Sequence, residues 1–392
     1  MDRQGWLQLT AVQAGGAICL PVFVIGHALG KSYGMASAAM AIVLGNTLLL
    51  ALAFVSGVYS AEKRLSTIQC AIACFGDQGK GGFSSAMVLS MIGWFAIQLH
   101  LMGECLNQIL PSSIGIASPL GMGVVMTALG TRGLRGVGIL ANLSMPLLIA
   151  TIVAGLIGAD KGKGVALEPK LLTMSGLSLV LACSIGAVVD LPTFFRSAKS
   201  RKDAVIAVCV LFVLVIPSVE MVGVVLSSSG EQKGFLDVLM GAHASGVWEL
   251  WVLCFVLIAG WTTNSANLYS AAVSLEPVLQ RVEFSKRTLL AGSVGTLLSV
   301  FPLLDGLELV LQPIGVVLTS MGAVLIVCFL SENKTTPQQN FASWMIGAGA
   351  GMISLATSTA TGIAVLDGFI ASLIAMGAFS LKKERWINEK NN

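Results

Sequence analysis

The sequence predicts an all-α integral membrane protein with about twelve spans, and three observations predict it. Of the 392 residues, 55% are hydrophobic and 11% charged, where a soluble domain is about 25% charged. The apolar runs are too long for barrel strands and long enough for helices, which need about 20 residues to cross a bilayer and satisfy their own backbone groups in lipid. The third observation is charge placement. With the N-terminus in the cytoplasm, 18 of the 23 Lys and Arg fall in inside loops and 5 in outside loops, a positive-inside bias. The net charge of +3 therefore reports topology, not nucleic-acid binding. The expectation is a multi-pass protein of the cytoplasmic (inner) membrane, both termini cytoplasmic, with no obligate protein partner.

Windows of about 19 residues place the segments at 6–30, 35–59, 83–107, 117–131, 135–158, 173–195, 204–227, 248–273, 286–303, 308–330, 341–358 and 361–381. The fourth is short. The last two are separated by only a few residues around Thr359 to Thr361, so a tight hairpin is expected. The N-terminal MDRQGW runs into the first segment without a small-residue cleavage site, so no cleavable signal peptide is expected.

The first segment reads AVQAGGAICLPVFVIG, with Gly15, Gly16 and Pro21. Gly costs about 1 kcal/mol and Pro about 3 in a helix interior, so a break is expected there. The sixth reads ACSIGAVVDLPTFFR, with Gly186, Asp190 and Pro192, and is expected to break likewise. Two broken segments five spans apart fit transporters built from inverted repeats, whose breaks face each other near the midplane.

The third segment carries MIGWFAIQLHLMGE. Trp94 and Gln98 share a face at i, i+4. A flat ring with an amide one turn away suits a planar heterocycle, one stacking and the other hydrogen-bonding. The other reading of Trp94 is an interfacial anchor. His100 and Glu104 form a second i, i+4 pair, read as mutually paired or facing water, with a proton or metal site as the alternative.

The eighth segment contains GWTTNSANLYS, with four polar side chains in consecutive positions from Thr262 to Ser265. Thr262 and Thr263 lie within a turn of Ala259. Two neutral hydroxyls suit sodium, a hard cation, with further oxygens from unwound backbone in segment one, where Gly15 and Ile18 offer carbonyls. The competing reading is that the threonines bond back to their own helix and Asn264 bridges helices.

Other ionisable residues at or near membrane depth are His27, Asp190, Glu220, Asp305, Glu308 and Asp367, each a functional candidate. Asp190 and Glu220 are the stronger candidates for substrate or proton contact. His27, Asp305, Glu308 and Asp367 stand near segment ends, where water reaches. The eight cysteines are mostly scattered through apolar segments as small hydrophobes, and no disulfide framework is expected. Cys70 and Cys74 are one turn apart but lack further ligands for a metal. No phosphate loop, HExxH, GxSxG or dinucleotide fingerprint occurs, so neither enzyme chemistry nor a cofactor is expected.

Over most of its length the chain resembles the nucleobase:cation symporter-1 family of cytosine/purine permeases. The resemblance rests on QGWLQLT at the start of segment one, LGN at Leu44 to Asn46, GWF at Gly93 to Phe95, FFRSAK after segment six, and above all WTTN with LY in segment eight. It implies a single domain over 1–392 with a LeuT-like fold: repeat one over about 6–158, repeat two over about 173–330, and two further helices over about 341–381. It implies a sodium site from carbonyls at Gly15 and Ile18 and from Ala259, Thr262 and Thr263. It implies that Trp94 stacks on the ring, that Asn264 lies in or beside the substrate site, and that Gln98 matches a ring-contacting position of a related hydantoin transporter. Where cytosine-transporting members place an aromatic in segment six, one alignment puts Ser184, beside Cys183 and Gly186, and another puts Leu181. The family's WTTNxN has its second asparagine displaced here to Asn267, leaving Ala266. Ala259 replaces an asparagine.

The resulting expectation is a secondary transporter importing a small planar heterocycle such as cytosine, driven by sodium rather than protons. Trp94, Gln98, Cys183, Ser184, Gly186 and Asn264 are the expected substrate residues, with Asp190, Asn267 and Glu220 as further polar candidates. The same fold carrying a thiamin-precursor pyrimidine, a hydantoin or allantoin, or an amino acid is the alternative. A channel, or a metal enzyme using His100, Glu104 and His27, is disfavoured.

Overall fold

The computed structural model describes residues 3–109, 117–133, 146–147, 149–151, 153–154, 157, 174–227, 234–243, 245–301, 307–331, 335–357 and 361–391. Most of the expected fifth segment, Asp305 and the side chain of Glu308 lie outside the described residues. In chain order the helices are α1 (Trp6–Ala17), α2 (Leu20–Lys63), α3 (Thr67–Ile109), α4 (Ala117–Gly130), α5 (Met174–Phe195), α6 (Arg201–Leu226), α7 (Phe235–Met240), α8 (Gly246–Ser274), α9 (Phe284–Leu298), α10 (Leu307–Leu330), α11 (Pro337–Thr357) and α12 (Ala364–Asn391). Among the described residues, seven helices are long and apolar enough to cross a membrane.

Two of these helices bend at glycines in the left-handed region, Gly34 of α2 (φ 77°) and Gly76 of α3 (φ 65°), a conformation that a Cβ disfavours. Residues 20–33 and 35–63 are thus the two arms of α2, and they correspond to the end of segment one and to segment two. Segment one breaks where the sequence predicts. α1 stops at Ala17, Ile18 takes ψ 71° and Cys19 is extended. Pro21 then falls in the first turn of α2, where its missing N–H is no loss.

Segment six departs from expectation: α5 runs as one helix from Met174 to Phe195 with Pro192 inside it. The physical reason lies on α2. Pro192 cannot donate to the carbonyl four residues back, that of Val188, and this carbonyl instead accepts from the Ser56 hydroxyl at 3.2 Å. The helix therefore continues without leaving an orphan acceptor.

α2 packs chiefly on α5 and α6, α3 on α8, and the α11–α12 pair on α10. One tight crossing joins α2 to α6. A methyl at Gly26 would collide with the Glu220 carbonyl, and one at Gly223 with the Phe23 carbonyl. One end of the bundle gathers the N-terminus with two basic turns. Gln4 N–H donates to Ser197 O (2.8 Å), the Arg64 guanidinium donates to Arg196 O (3.1 Å), and Arg201 pairs with Glu62 at 3.3 Å.

Two residues expected near water are buried instead. His27 packs edge-on to Phe235, because helix α7 covers it. Asp367 accepts from the Thr361 N–H and hydroxyl, at 3.1 and 2.8 Å, and from the Ser354 hydroxyl. It fastens the turn between α11 and α12.

Gly26→Ala is expected to destabilise the protein by about 1–3 kcal/mol, the usual cost of overpacking. Gly349→Ala, where a methyl would meet nothing within 4 Å, is expected to be neutral or stabilising by up to ~1 kcal/mol. Thermal melting of both variants in detergent tests this. Equal melting temperatures would refute the close crossing.

Candidate functional site

A cavity of about 110 Å³ lies where the α1–α2 break meets α3, α5 and α8. The break contributes Gln13, Gly16, Ala17, Cys19 and Pro21, and α3 contributes Met91, Trp94 and Gln98. From α5 come Cys183, Ser184, Ala187, Asp190 and Phe194, and from α8 come Thr263, Ala266, Asn267 and Ser270. Each helix thus presents a stripe at helical spacing.

The α3 wall is the most distinctive. Gln98 is fully buried, and neither its amide nitrogen nor its amide oxygen has a hydrogen-bond partner. One turn earlier stands Trp94, and one turn before that Ser90, whose buried hydroxyl is likewise unpartnered. Unpaired buried polar groups cost about 1–3 kcal/mol each, a cost that a ligand supplying the bonds would offset. Gly260 of α8 packs closely on α3: a methyl there would collide with Met102 Sδ and lie 3.0 Å from Gln98 Nε2.

Where α8 touches the break, oxygens crowd together. The Thr262 hydroxyl lies 2.8 Å from Gly15 O and 2.8 Å from Ala259 O. The Thr263 hydroxyl lies 2.9 Å from Ala259 O, 3.3 Å from Gly16 O and 3.4 Å from Gly15 O. Each hydroxyl owns one proton, so two protons serve four carbonyls, since Ile258 O also lies 3.2 Å from the Thr262 hydroxyl. The structure brings Gly15, Ala259, Thr262 and Thr263 together and adds Gly16. Ile18 closes α1 through its N–H to Ala14 O at 2.7 Å.

Asp190 sits at one end of the cavity, with hydroxyls on both oxygens. Thr193 and Thr67 donate to Oδ1 at 2.7 and 3.2 Å, and Ser270 donates to Oδ2. Three helices, α3, α5 and α8, meet on this one carboxyl.

Two expected substrate residues, Asn264 and Gly186, and one further polar candidate, Glu220, stand off the cavity wall. Asn264 is buried and donates to Phe95 O at 3.3 Å, while its own oxygen accepts from Asn267 at 3.4 Å. One residue on an α-helix is a 100° turn, which carries Asn264 from the Thr263 face toward α3. Asn267 takes the place at the cavity. Gly186 lies behind the wall, where a methyl would sit 3.8 Å from Trp94 Nε1 and 3.5 Å from the Ser90 hydroxyl. Glu220 is buried between α6 and α2, with Asn46 donating to it at 2.7 Å. His100 and Glu104 pair at 3.6 Å, away from this cavity.

Gln13, Phe194 and Ser270 line the cavity without having been anticipated. Phe194, an aromatic at the cavity, packs on Tyr269 with ring centroids 5.9 Å apart; it stands ten residues from Ser184 and so does not take the place of the segment-six aromatic. Its signal was periodicity: Cys183, Ala187, Asp190 and Phe194 follow one face.

No family model matches the chain. The cytosine permease of Escherichia coli (strain K12) is 24% identical over 311 residues, covering 76% of this chain and 72% of that protein. The cytosine permease of Escherichia coli O157:H7 matches to the same extent. Among solved structures, Mhp1, a nucleobase-cation-symport-1 family transporter in a closed conformation with bromovinylhydantoin bound, superposes with a TM-score of 0.78 at 18% identity, covering 99% of this chain and 94% of that one. A Na⁺-coupled sialic acid symporter in an outward-open state gives 0.67 at 14% identity, covering 94% and 89%. These likenesses show a LeuT-like fold, and the relatives are transporters, not enzymes. The chain is thus similar in sequence to cytosine permeases and in fold to a nucleobase-cation-symport-1 family transporter.

Gln98→Met is expected to leave the ligand-free protein as stable as the parent or more so, since an apolar chain of similar size removes two unpaired groups. Thermal melting without added solute checks this. A clear drop in melting temperature would mean that the amide bonds within the fold.

Proposed function

We propose that this chain is a cation-coupled secondary transporter of the cytoplasmic membrane that imports a small planar heterocycle, cytosine or a related nucleobase, by alternating access. One observation carries the reading: the fully buried, unpartnered Gln98 amide beside Trp94 on one cavity wall. A nucleobase presents donors and acceptors along its edge and flat apolar faces. The amide offers both a donor and an acceptor to that edge, and the indole offers a surface to the ring. Asn267 and the Ser184 hydroxyl, with Cys183 beside it, would complete the edge contacts.

The coupling ion of this reading is sodium, held between α1 and α8. The crowded oxygens of Gly15, Gly16, Ala259, Thr262 and Thr263 are neutral and hard, and some come from backbone freed at a helix break, as in other transporters with discontinuous helices. A proton cannot bridge five oxygens; a monovalent cation can. Ile18 would add its carbonyl on a small turn of the break. An ion there would fix the break against α8 and so shape the cavity that receives the ring. Coupling then follows, because each ligand favours the other's binding reciprocally. The two five-helix repeats and the two further helices would form one transport domain, within which one bundle rocks against the other, with both termini cytoplasmic.

A hydantoin is the second reading. It too is a flat ring with an amide edge, and the superposed Mhp1 structure is described with a bromovinylhydantoin bound. An amino acid is disfavoured, since Asp190 already has hydroxyls on both oxygens.

Labelled cytosine uptake into proteoliposomes, with and without an inward sodium gradient and with unlabelled heterocycles as competitors, tests the proposal. Sodium-stimulated uptake blocked by one ring class is the expected result; blocking by hydantoins alone would select the second reading. Trp94→Ala is expected to abolish binding of the planar substrate. Thr263→Ala is expected to weaken sodium stimulation while leaving the melting temperature nearly unchanged. Unaltered sodium stimulation in the Thr263 variant would remove the ion from this place.

A further inference from the structure

A second cavity, of about 310 Å³, is lined by Tyr59, Cys70, Cys74, Cys328, Thr335 and Asn340. Cys74 ends the first arm of α3, and Cys328 lies near the end of α10. They are 254 residues apart in sequence and are joined as a disulfide across a Cα–Cα distance of 6.0 Å, well within reach of such a bond. Cys70 is a free thiol one turn before Cys74, on the same wall. The Asn340 amide of α11 brackets the pair, donating to Cys74 O at 2.7 Å and lying 3.4 Å from Cys328 Sγ.

The cavity belongs to the end of the bundle that gathers Lys63, Arg64, Arg196 and Arg201. In the reading proposed above this end faces the cytoplasm, where thiols are kept reduced and disulfides are transient or redox-sensing. A permanent structural bond does not belong there. A bond that opens and closes does.

We propose that Cys74 and Cys328 form a reversible thiol–disulfide site whose closure fastens the first arm of α3 to α10. The proposal rests on the cytoplasmic placement of this end. The fastened arm is short, and its other end is already tied. Thr67, its first residue, donates to Asp190 Oδ1 at 3.2 Å and accepts from the Thr193 N–H at 3.1 Å. Residues 67–75 therefore run from the Asp190 end of the main cavity to the sulfur pair. With the bond closed, the arm is held at both ends, and α5 and α10 are joined through it. With the bond open, the covalent tie to α10 is lost and the Cys74 end keeps the Asn340 hydrogen bond from α11.

The chemistry balances with a small disulfide such as oxidised glutathione as oxidant. Cys328 is half-buried and Cys74 fully buried, so Cys328 reacts first. Its thiolate attacks one sulfur of the small disulfide, that S–S bond breaks, and one glutathione thiolate leaves. The Cys74 thiolate then attacks the Cys328 sulfur, forms the protein bond and expels the second glutathione thiolate. The two protons given up by the cysteines end on the two released thiolates, and excess reduced glutathione reverses both steps.

The test uses the full chain in lipid nanodiscs equilibrated with reduced or oxidised glutathione, then alkylated after denaturation and weighed. Of the eight cysteines, all eight are expected to be alkylated in reduced glutathione, and the six other than Cys74 and Cys328 in oxidised glutathione. Adding reduced glutathione should restore the full count. Cys328→Ser should abolish the change, Cys74→Ser should reduce it to one thiol held as a mixed disulfide with glutathione, and Cys70→Ser should preserve it. Hydrogen exchange over residues 67–76 is expected to slow several-fold on oxidation in the parent and not in Cys74→Ser. A count that stays at six in reduced glutathione, or at eight in oxidised, overturns the reversible site. Equal exchange in the two states overturns the fastening. Cytosine uptake measured alongside keeps the two readings apart: its absence in both states counts against cytosine transport, while the thiol count and exchange still decide this proposal.

Discussion

Backbone groups inside a bilayer must find partners within the protein, and the architecture of this chain follows from how that requirement is met at two weak points. In α5, Pro192 frees the Val188 carbonyl, and Ser56 of α2 takes it at 3.2 Å. The repair comes from a neighbour that already packs there, and the helix stays whole. In segment one the break is not repaired by continuing the helix. The carbonyls of Gly15 and Gly16 turn outward to the hydroxyls of Thr262 and Thr263. A hydroxyl satisfies only one acceptor at a time, so this end of α1 keeps acceptors in excess. One weak point became ordinary structure and the other became the edge of a cavity, through what the facing helix could supply.

The same accounting separates the buried polar groups into two kinds. Asp367 and Asp190 accept bonds on both oxygens, from the α11–α12 turn and from three converging helices respectively. Asn340 donates to Cys74 O. These groups lock elements together, and their types could be exchanged for other well-paired sets. Gln98 and Ser90 have no such partners and share a stripe with Trp94. Their unpaired state has a free-energy cost, which a ligand supplying the bonds would offset under the proposed reading.

Much of the fold was legible because apolar length and charge placement are properties of local sequence. The break of segment one was legible for the same reason: Gly15, Gly16 and Pro21 act on their own helix. The continuity of α5 was not, since it depends on Ser56, far away in the chain. Within α8 the polar run from Thr262 to Ser270 announced a site, but its rotation did not follow from composition. Thr263, Ala266, Asn267 and Ser270 turn to the cavity, and Asn264 turns to Phe95. His27 and Asp367 were read as solvated from their position along the segments. Burial by α7 and by the α11–α12 turn is a tertiary fact. The Cys74–Cys328 pair, 254 residues apart, lies wholly beyond local reading.

The two ends of the main cavity can now be related. At one end the oxygens around Thr262 and Thr263 join the α1–α2 break to α8. At the other, Asp190 joins α3, α5 and α8 through Thr67, Thr193 and Ser270. Helix α8 is common to both, and Thr263 and Ser270 lie two turns apart on its cavity-facing stripe. A ligand seated between Trp94 and that stripe would therefore touch a helix clamped above and below by different partners. Loosening the clamp at the break leaves the Asp190 contacts in place, and loosening the Asp190 contacts leaves the break in place. Alternating access requires such separable contacts at the two ends of one site. The polar groups of α8 are divided between the ends, Thr262 and Thr263 at the break and Ser270 at Asp190, so the contacts at either end can part while α8 itself stays whole.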